Sequence, residues 1–91
     1  MCSIHIKEPK KTKYAGTFPT FKLYLEKGDK GTQVKYLQKF LNWALELNLA
    51  VDGSFGAKTL DAVKKFQKKV GITVDGKFGK ESLAKAKAFE K

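Results

Sequence analysis

A six-residue pattern that occurs twice limits the fold of this chain more than any other feature. Val51 to Gly56 reads Val-Asp-Gly-Ser-Phe-Gly, and 23 residues further on Val74 to Gly79 reads Val-Asp-Gly-Lys-Phe-Gly. The likeness extends past these six, because Thr, Leu, Lys and Phe at 59, 60, 64 and 66 correspond to Ser, Leu, Lys and Phe at 82, 83, 87 and 89. A repeat of this length indicates that one supersecondary unit has been copied.

Each copy predicts a turn followed by a helix. Glycine in Val-Asp-Gly supplies a positive φ, and the aspartate bonds its own backbone. The two Val-Asp-Gly segments are candidates for pairing as short extended pieces. After Gly56, apolar residues spaced three or four apart predict a helix that Gly71 ends in the left-handed conformation. After Gly79, the same spacing predicts a helix from about Lys80 to the C-terminus.

Another helix is predicted before the first copy, from about Thr32 to Glu46, with Thr32 as its N-cap after a Gly-Asp-Lys-Gly turn. Its apolar residues form two neighbouring stripes that together cover about 200° of arc, twice the ~100° of an ordinary surface helix. The first stripe holds Val34, Leu37, Leu41, Ala44 and Leu45, and the second holds Tyr36, Phe40, Trp43 and Leu47. Either Phe18, Phe21 and Leu23 cover the second stripe, or Tyr36 or Trp43 is exposed and stacks on a ligand.

Length and charge narrow the functional classes. A chain of 91 residues makes one domain and leaves no room for a separate catalytic domain. No apolar run approaches the roughly 18 residues that a membrane span needs. The net charge of +10 predicts attraction to nucleic acid, an anionic membrane surface or an acidic wall polymer. The sequence contains no arginine, which weakens the case for nucleic acid.

Groups for catalysis or metal binding are scarce. Cys2 is the single cysteine and His5 the single histidine, so neither a disulfide nor a zinc site is predicted, and no cofactor is expected. Asp52 and Asp75 each lie in a turn, and the other acids are scattered over predicted helix surfaces rather than paired for glycoside hydrolysis. The residues therefore give no support for an enzyme.

The chain divides into a basic leader and a folded domain. Residues 1–20 carry several lysines and few apolar residues, which is typical of an extended linker, and residues 21–91 form the predicted domain. No apolar stretch follows a basic start near the N-terminus, so no secretion signal is expected.

With these residues in place, the chain from Leu25 to about Phe89 resembles the peptidoglycan-binding domain family, the three-helix module of phage endolysins and bacterial cell-wall hydrolases. The leader Tyr14 to Pro19 is similar to linkers that join a muramidase or amidase to such a module. The matching positions are Leu25, Gly28, Asp29, Gly31, Val34, Leu37, Gln38, Leu41, Val51-Asp52-Gly53, Phe55-Gly56, Thr59, Ala62-Val63, Phe66-Gln67, Gly71-Ile72, Val74-Asp75-Gly76, Phe78-Gly79 and Ser82.

The resemblance implies an all-α, small three-helix bundle with two pseudo-repeated turn-helix units and an extended N-terminal leader. It also implies that the chain binds peptidoglycan without hydrolysing it, and targets an attached endolysin or autolysin to the wall, on the extracellular side. Anionic wall polymers are further expected partners, and neither nucleic acid nor membrane is expected. The alternative is a small basic helical domain that binds nucleic acid, and only the net positive charge supports it.

The predicted ligand site lies between the first helix and the first repeat. In this hypothesis muropeptide stacks on Trp43, with Tyr36 beside it, while the second repeat is mainly structural. The polar contacts come from the first repeat and are Asp52, Gly53, Lys58 and Thr59. Structural roles compete with this assignment. Asp52 and Asp75 are expected to form turns and cap helices, Gln38 and Gln67 to bond backbone at helix junctions, and Phe55 and Phe78 to be at least half buried.

Overall fold

Three helices and one short antiparallel strand pair make up the part of the chain that the structure, a computed structural model, describes: residues 13–21 and 23–90. The order is β1 (Tyr24–Leu25), α1 (Thr32–Leu45), α2 (Ala57–Val70), β2 (Phe78–Gly79) and α3 (Lys80–Ala88). The predicted three-helix architecture with two turn-helix units is confirmed. Within these residues, no helix is long and apolar enough to cross a membrane.

Helix α1 begins and ends close to the predicted residues, but its N-cap differs. Gly31 and not Thr32 precedes the helix, with φ of 130° and no side-chain cap hydrogen bond. The Gly31 carbonyl accepts from the N–H of Val34 (3.1 Å), and its own N–H donates to the carbonyl of Gly53 (2.8 Å). This backbone contact with the first repeat requires the positive φ, so a glycine takes the N-cap position and Thr32 becomes the first helical residue.

The C-terminal end of α2 agrees with the prediction, whereas that of α3 does not. Gly71 ends α2 in the left-handed conformation, with φ of 80° and its N–H bonded to the carbonyls of Gln67 and Lys68, as predicted. Helix α3 ends at Ala88 instead of continuing to the C-terminus, because Phe89 adopts an extended backbone. The ring of Phe89 packs against the ring of Phe66, with 5.6 Å between their centroids.

The two Val-Asp-Gly segments do not pair with each other, contrary to the prediction. Each repeat pairs instead with the segment that precedes α1: Ser54 bridges to Lys30, and Gly79 and Phe78 pair with Tyr24 and Leu25. The pairing follows from burial of the repeated phenylalanine in each copy. Phe55 is 1% exposed. Its backbone N–H donates to the carbonyl of Asp29, and its carbonyl accepts the N–H of Gly28, both at 2.9 Å.

The core is dominated by aromatic rings. Phe40 on α1 and Phe66 on α2 are both fully buried and pack edge-to-face with 5.3 Å between centroids. Phe55 and Phe78, one from each repeat, are buried as expected from their repetition. The remaining buried apolar residues are Leu25, Val34, Leu37, Leu41, Ala44, Ala62, Val63 and Ala86.

Part of the leader covers the second stripe of α1. Phe18 packs on Phe40 as expected, with 5.6 Å between centroids, and Tyr14 joins it, although no role was predicted for that ring. Phe21 packs on Phe78 with 6.2 Å between centroids, and its place over the stripe stays a prediction. Leu23 is 72% exposed, so the expectation that it covers the stripe was wrong. The division of the chain at residue 20 stays a prediction, and residues 1–12 lie outside the described residues.

Candidate functional site

A buried glutamine on α1 holds the first repeat together. The side-chain nitrogen of Gln38 lies 3.1 Å from Asp52 Oδ1, 3.0 Å from the carbonyl of Ser54 and 3.2 Å from Thr59 Oγ1. Its oxygen accepts the N–H of Gly53 at 3.0 Å. One amide therefore joins α1, the Val-Asp-Gly turn and the first turn of α2.

Gln67 on α2 does the same for the second repeat. Its nitrogen lies 2.9 Å from Asp75 Oδ1, 2.8 Å from the carbonyl of Lys77 and 3.2 Å from Ser82 Oγ. Its oxygen accepts the N–H groups of Asp75 (3.1 Å) and Gly76 (3.0 Å). The expectation that Gln67 bonds backbone at a helix junction is confirmed, and each structural unit includes a glutamine from the preceding helix.

The two aspartates form turns but do not cap helices. Asp52 Oδ1 accepts the N–H of Ser54, and Asp75 Oδ1 accepts the N–H of Lys77, both at 2.9 Å. Helices α2 and α3 have no side-chain cap, because Gly56 and Gly79 occupy the N-cap positions. These N–H bonds, followed by those from the glutamine amides, lower the pKa of both carboxyls below the ordinary value. Both turns therefore carry a negative charge at neutral pH.

This arrangement predicts loss of stability in acid. A carboxyl whose pKa is lower in the folded than in the unfolded chain stabilises the fold above its unfolded value, here near 3.8, and the contribution is lost as the pH falls through the folded value. We expect a level melting temperature from about pH 7 to pH 5 and a decline below about pH 4.

Thermal melts of the wild type and of Asp52→Asn/Asp75→Asn measure this pH dependence. The double variant should start lower at neutral pH and lose less on acidification through this window. An equal loss in both proteins would show that the two turns do not carry the acid sensitivity.

A cleft of about 230 Å³ opens between the connection after α1 and the first turn of α2. Asn42 on α1 shapes one wall, because its side chain donates to the carbonyl of Leu49 (3.0 Å) and accepts the N–H of that residue (2.7 Å). Sequence reasoning missed Asn42, although a polar residue beside an apolar stripe was a signal. The lining residues are Gln38, Leu49, Ala50, Asp52, Ser54, Gly56, Ala57, Lys58 and Thr59.

A second cleft of about 340 Å³ adjoins the first and shares Leu49, Ala57 and Lys58 with it. It continues along α2 past Ala62, and the ion pair of Asp61 and Lys65 (3.2 Å) lies on its rim. We call the two clefts together the first-repeat groove. Both apolar and charged side chains line the groove.

The structure brings together four of the six residues predicted for the site. Asp52, Lys58 and Thr59 line the groove, and Gly53 lies behind Asp52. Lys58 is exposed, whereas Thr59 is 3% exposed and its hydroxyl bonds Gln38. Gly53 is buried with φ of 76°, and its N–H is bonded to Gln38 as well. Asp52 and Lys58 are therefore the more accessible polar groups of the four.

The two predicted aromatic residues, Tyr36 and Trp43, are not among the residues that line the groove. Trp43 is half buried and packs against Tyr14, Phe40 and Phe89, with centroid distances of 5.4, 5.9 and 5.8 Å. Tyr36 is half buried on α1. That either ring stacks on a ligand stays a prediction.

The second repeat forms a cleft of its own, of about 330 Å³, which we call the second-repeat cleft. Gln67, Asp75 and Ser82 lie at its base as Gln38, Asp52 and Thr59 do in the first repeat. The second repeat, expected to be mainly structural, thus has a concave surface built on the same polar residues. The other lining residues are Tyr24, Thr73, Lys77, Gly79, Lys80 and Glu81.

Residues 13–21 and 23–90 contain no cluster of three or more histidine, cysteine, aspartate or glutamate side chains suited to a metal ion. Cys2 and His5 lie outside these described residues.

The repeats, their glutamine amides and the three helices are those of a small cell-wall binding domain. The model of the peptidoglycan binding domain family matches residues 30–85, more than half of the chain. The chain belongs to this family of cell-wall binding modules.

Two solved structures are similar. The Burkholderia AP3 phage endolysin is 37% identical with a TM-score of 0.67, over 71% of this chain and 25% of that protein. The peptidoglycan-binding protein from Clostridioides difficile, solved in complex with glutamine hydroxamate, is 41% identical with a TM-score of 0.66, over 70% of this chain and 40% of that protein. The chain thus spans less than half the length of either protein. The comparison with curated proteins found no match.

Proposed function

We propose that this module delivers a cell-wall hydrolase of the endolysin or autolysin type, such as a muramidase or amidase, to its substrate on the extracellular side of the cell. A tethered wall-binding domain raises the local concentration of the enzyme at the wall without adding catalysis. The similarity to a phage endolysin supports the proposal, because the matched part is only 25% of that enzyme and the remainder has room for catalysis.

The binding site in this proposal is the first-repeat groove, and its mixed lining is the observation that carries the assignment. The stem peptide of a muropeptide alternates alanine methyl groups with carboxylates and amines. Leu49 and Ala57 provide an apolar floor for the methyl groups, and Lys58 provides a donor for a carboxylate. Asp52, ionised at neutral pH, provides an acceptor for an amine or hydroxyl group. A few placed polar groups over an apolar floor are typical of ligand sites.

Thr59 and Gly53 help to fix the shape of the groove. Both bond Gln38, which keeps the turn that carries Asp52 close to the first turn of α2. The lysines over the helix surfaces add attraction to anionic wall polymers, which is screened beyond ~8 Å at physiological salt.

Co-sedimentation with purified wall sacculi tests the site. Lys58→Ala should weaken binding about tenfold, because a charge-assisted hydrogen bond is lost. Ala57→Phe should block the groove, and the exposed position of Ala57 leaves the core untouched. Lys39→Ala is the charge-matched control, since Lys39 is exposed on α1 and does not line the groove. Equal binding of Lys58→Ala, Ala57→Phe and the control would refute the groove.

Further arms of the same assay test the rest of the proposal. The chain should pellet with walls, release no reducing sugar or amino groups from them, and bind more weakly but still measurably at raised salt. A DNA mobility shift at physiological salt without wall pelleting would favour the nucleic-acid alternative.

Trp43→Ala tests the role of the Trp43 ring. The melting temperature should fall strongly if the ring belongs to the core, whereas lost wall binding at an unchanged melting temperature would show that the ring stacks on the ligand.

A further inference from the structure

We propose that the second-repeat cleft is a further ligand site, which takes one N-acetylated amino sugar of a glycan strand against the ring of Tyr24. The inference rests on the proposed function, because a glycan strand reaches this cleft only if the module binds cell wall. It gives the second repeat a binding role in addition to its structural one.

The strand pair brings Tyr24 to the cleft. Tyr24 pairs with Gly79, lines the cleft and is 36% exposed. Glycine eases the close approach, because a Cβ at position 79 would lie 3.3 Å from the carbonyl oxygen of Leu23, a tight contact, and 3.4 Å from Tyr24 Cβ. At the equivalent Gly56, a Cβ would meet nothing within 4 Å, and no aromatic residue lines the first-repeat groove.

One face of the Tyr24 ring, at the cleft, is covered by a lysine side chain. The Lys77 ammonium lies over this face, 4.7 Å from the ring centroid. Lys77 is exposed, and a solvated ammonium on a flexible stem is held only weakly by a ring. A sugar can therefore replace the ammonium on the ring, and the displaced ammonium then lies at the rim as a donor to the ligand.

The charges of the cleft favour an uncharged polar ligand. Lys77 and Lys80 contribute two positive charges, and Asp75 and Glu81 contribute two negative charges, so a polyanion gains little here. Amino sugars carry hydroxyl and acetamido groups that donate and accept hydrogen bonds, and a CH face that packs on an aromatic ring. Thr73, with a hydroxyl that donates and accepts, completes the polar lining.

The two repeats then divide the polymer between them. The first-repeat groove, which no aromatic side chain lines, binds the peptide stem. The second-repeat cleft binds the sugar against the Tyr24 ring. Because both sites belong to one folded domain with a shared core, the second contact would form at high effective concentration once the first is made.

Nuclear magnetic resonance titration of the amide signals with a tetramer of N-acetylglucosamine, which carries no peptide, tests the inference. Signals of Tyr24, Thr73 and Lys80 to Ser82 should shift, and those of the first-repeat groove should stay. Tyr24→Ala should weaken tetramer binding about five- to tenfold, and Tyr24→Phe should retain it within about twofold, because the ring face carries the contact. Leu23→Ala is the matched control, since Leu23 lies on the same segment, is 72% exposed and does not line the cleft.

The outcomes separate this inference from the proposed function. Shifts confined to the first-repeat groove, or an equal affinity of Tyr24→Ala and Leu23→Ala, would overturn the sugar site while wall pelleting still supported the module. Failure of wall pelleting would refute the proposed function whatever the tetramer does. A melting temperature of Tyr24→Ala equal to that of Leu23→Ala ensures that a loss of binding reports the contact.

Discussion

Replacing Phe66 by Ala is expected to lower the free energy of unfolding by about 3–5 kcal/mol, the range for a buried phenylalanine. Phe66 is fully buried at the centre of α2 and contacts the rings of Phe40, Phe78 and Phe89 with centroid distances of 5.3, 6.3 and 5.6 Å. The change removes these contacts at once and leaves a cavity between α1, β2 and the residue that follows α3. Against a total stability of roughly 5–15 kcal/mol, this is a large fraction of the free energy that holds the domain folded.

Thermal melts measure the effect. The melting temperature of Phe66→Ala should fall by more than about 10 °C, since 1 kcal/mol corresponds to about 4–8 °C in a domain of this size. Leu37→Ala, also fully buried, should cost about 2–5 kcal/mol. Val74→Ala is the control, because Val74 is 47% exposed. Shifts as small as that of the control would mean that these two side chains do not form the core.

Replacing Gln67 by Leu is expected to cost on the order of 3 kcal/mol, although leucine has nearly the volume of glutamine. The substitution leaves the buried N–H of Gly76 and the buried hydroxyl of Ser82 without the amide that they bond at 3.0 and 3.2 Å. Each buried polar group that loses its partner costs about 1–3 kcal/mol. Gln38→Leu should cost a similar amount, because Gly53 and Thr59 lose the same kind of partner.

Denaturant unfolding of both glutamine variants, with Lys68→Ala as an exposed control on α2, tests this prediction. Stabilities equal to the control would show that the amides are replaceable by solvent. The variants also bear on binding, because loss of Gln38 should loosen the turn that carries Asp52 and weaken wall binding. Gln67→Leu should leave the first-repeat groove intact, so the pair separates the two repeats in one assay.

Most of the architecture could be predicted from the sequence. The repeated Val-Asp-Gly turn, the helix after each copy and the end of α2 at Gly71 depend on neighbours a few residues apart. The positive φ values of Gly53 and Gly76, 76° and 77°, are what the repeat required. The details that were wrong involve residues far apart in sequence. Gly31 and not Thr32 is the N-cap of α1, because the N–H of Gly31 donates to the carbonyl of Gly53 in the first repeat.

The candidate site was only partly predictable. Asp52, Lys58 and Thr59 were expected to lie together, and they do, since all three belong to one turn and the helix that follows it. Gln38 lies 14 residues before Asp52, whereas Gln67 lies only 8 before Asp75. Both glutamines were expected at helix junctions, but this difference in spacing hides their equivalence from a search for a repeat with one fixed period.

The sequence by itself determined the copied unit, its turns, its helices and its family, because glycine conformation and helix periodicity are local properties of the chain. The tertiary structure decided which aromatic rings face solvent. Trp43 shares its stripe with Phe40 and was a candidate platform, yet Tyr14 and Phe89 pack against it from two ends of the chain. Tyr24 carries no such signal in the sequence, and it reaches a cleft only because β1 pairs with the second repeat. Exposure depends on what the rest of the chain places against a side chain, and residues far apart in sequence supply those contacts.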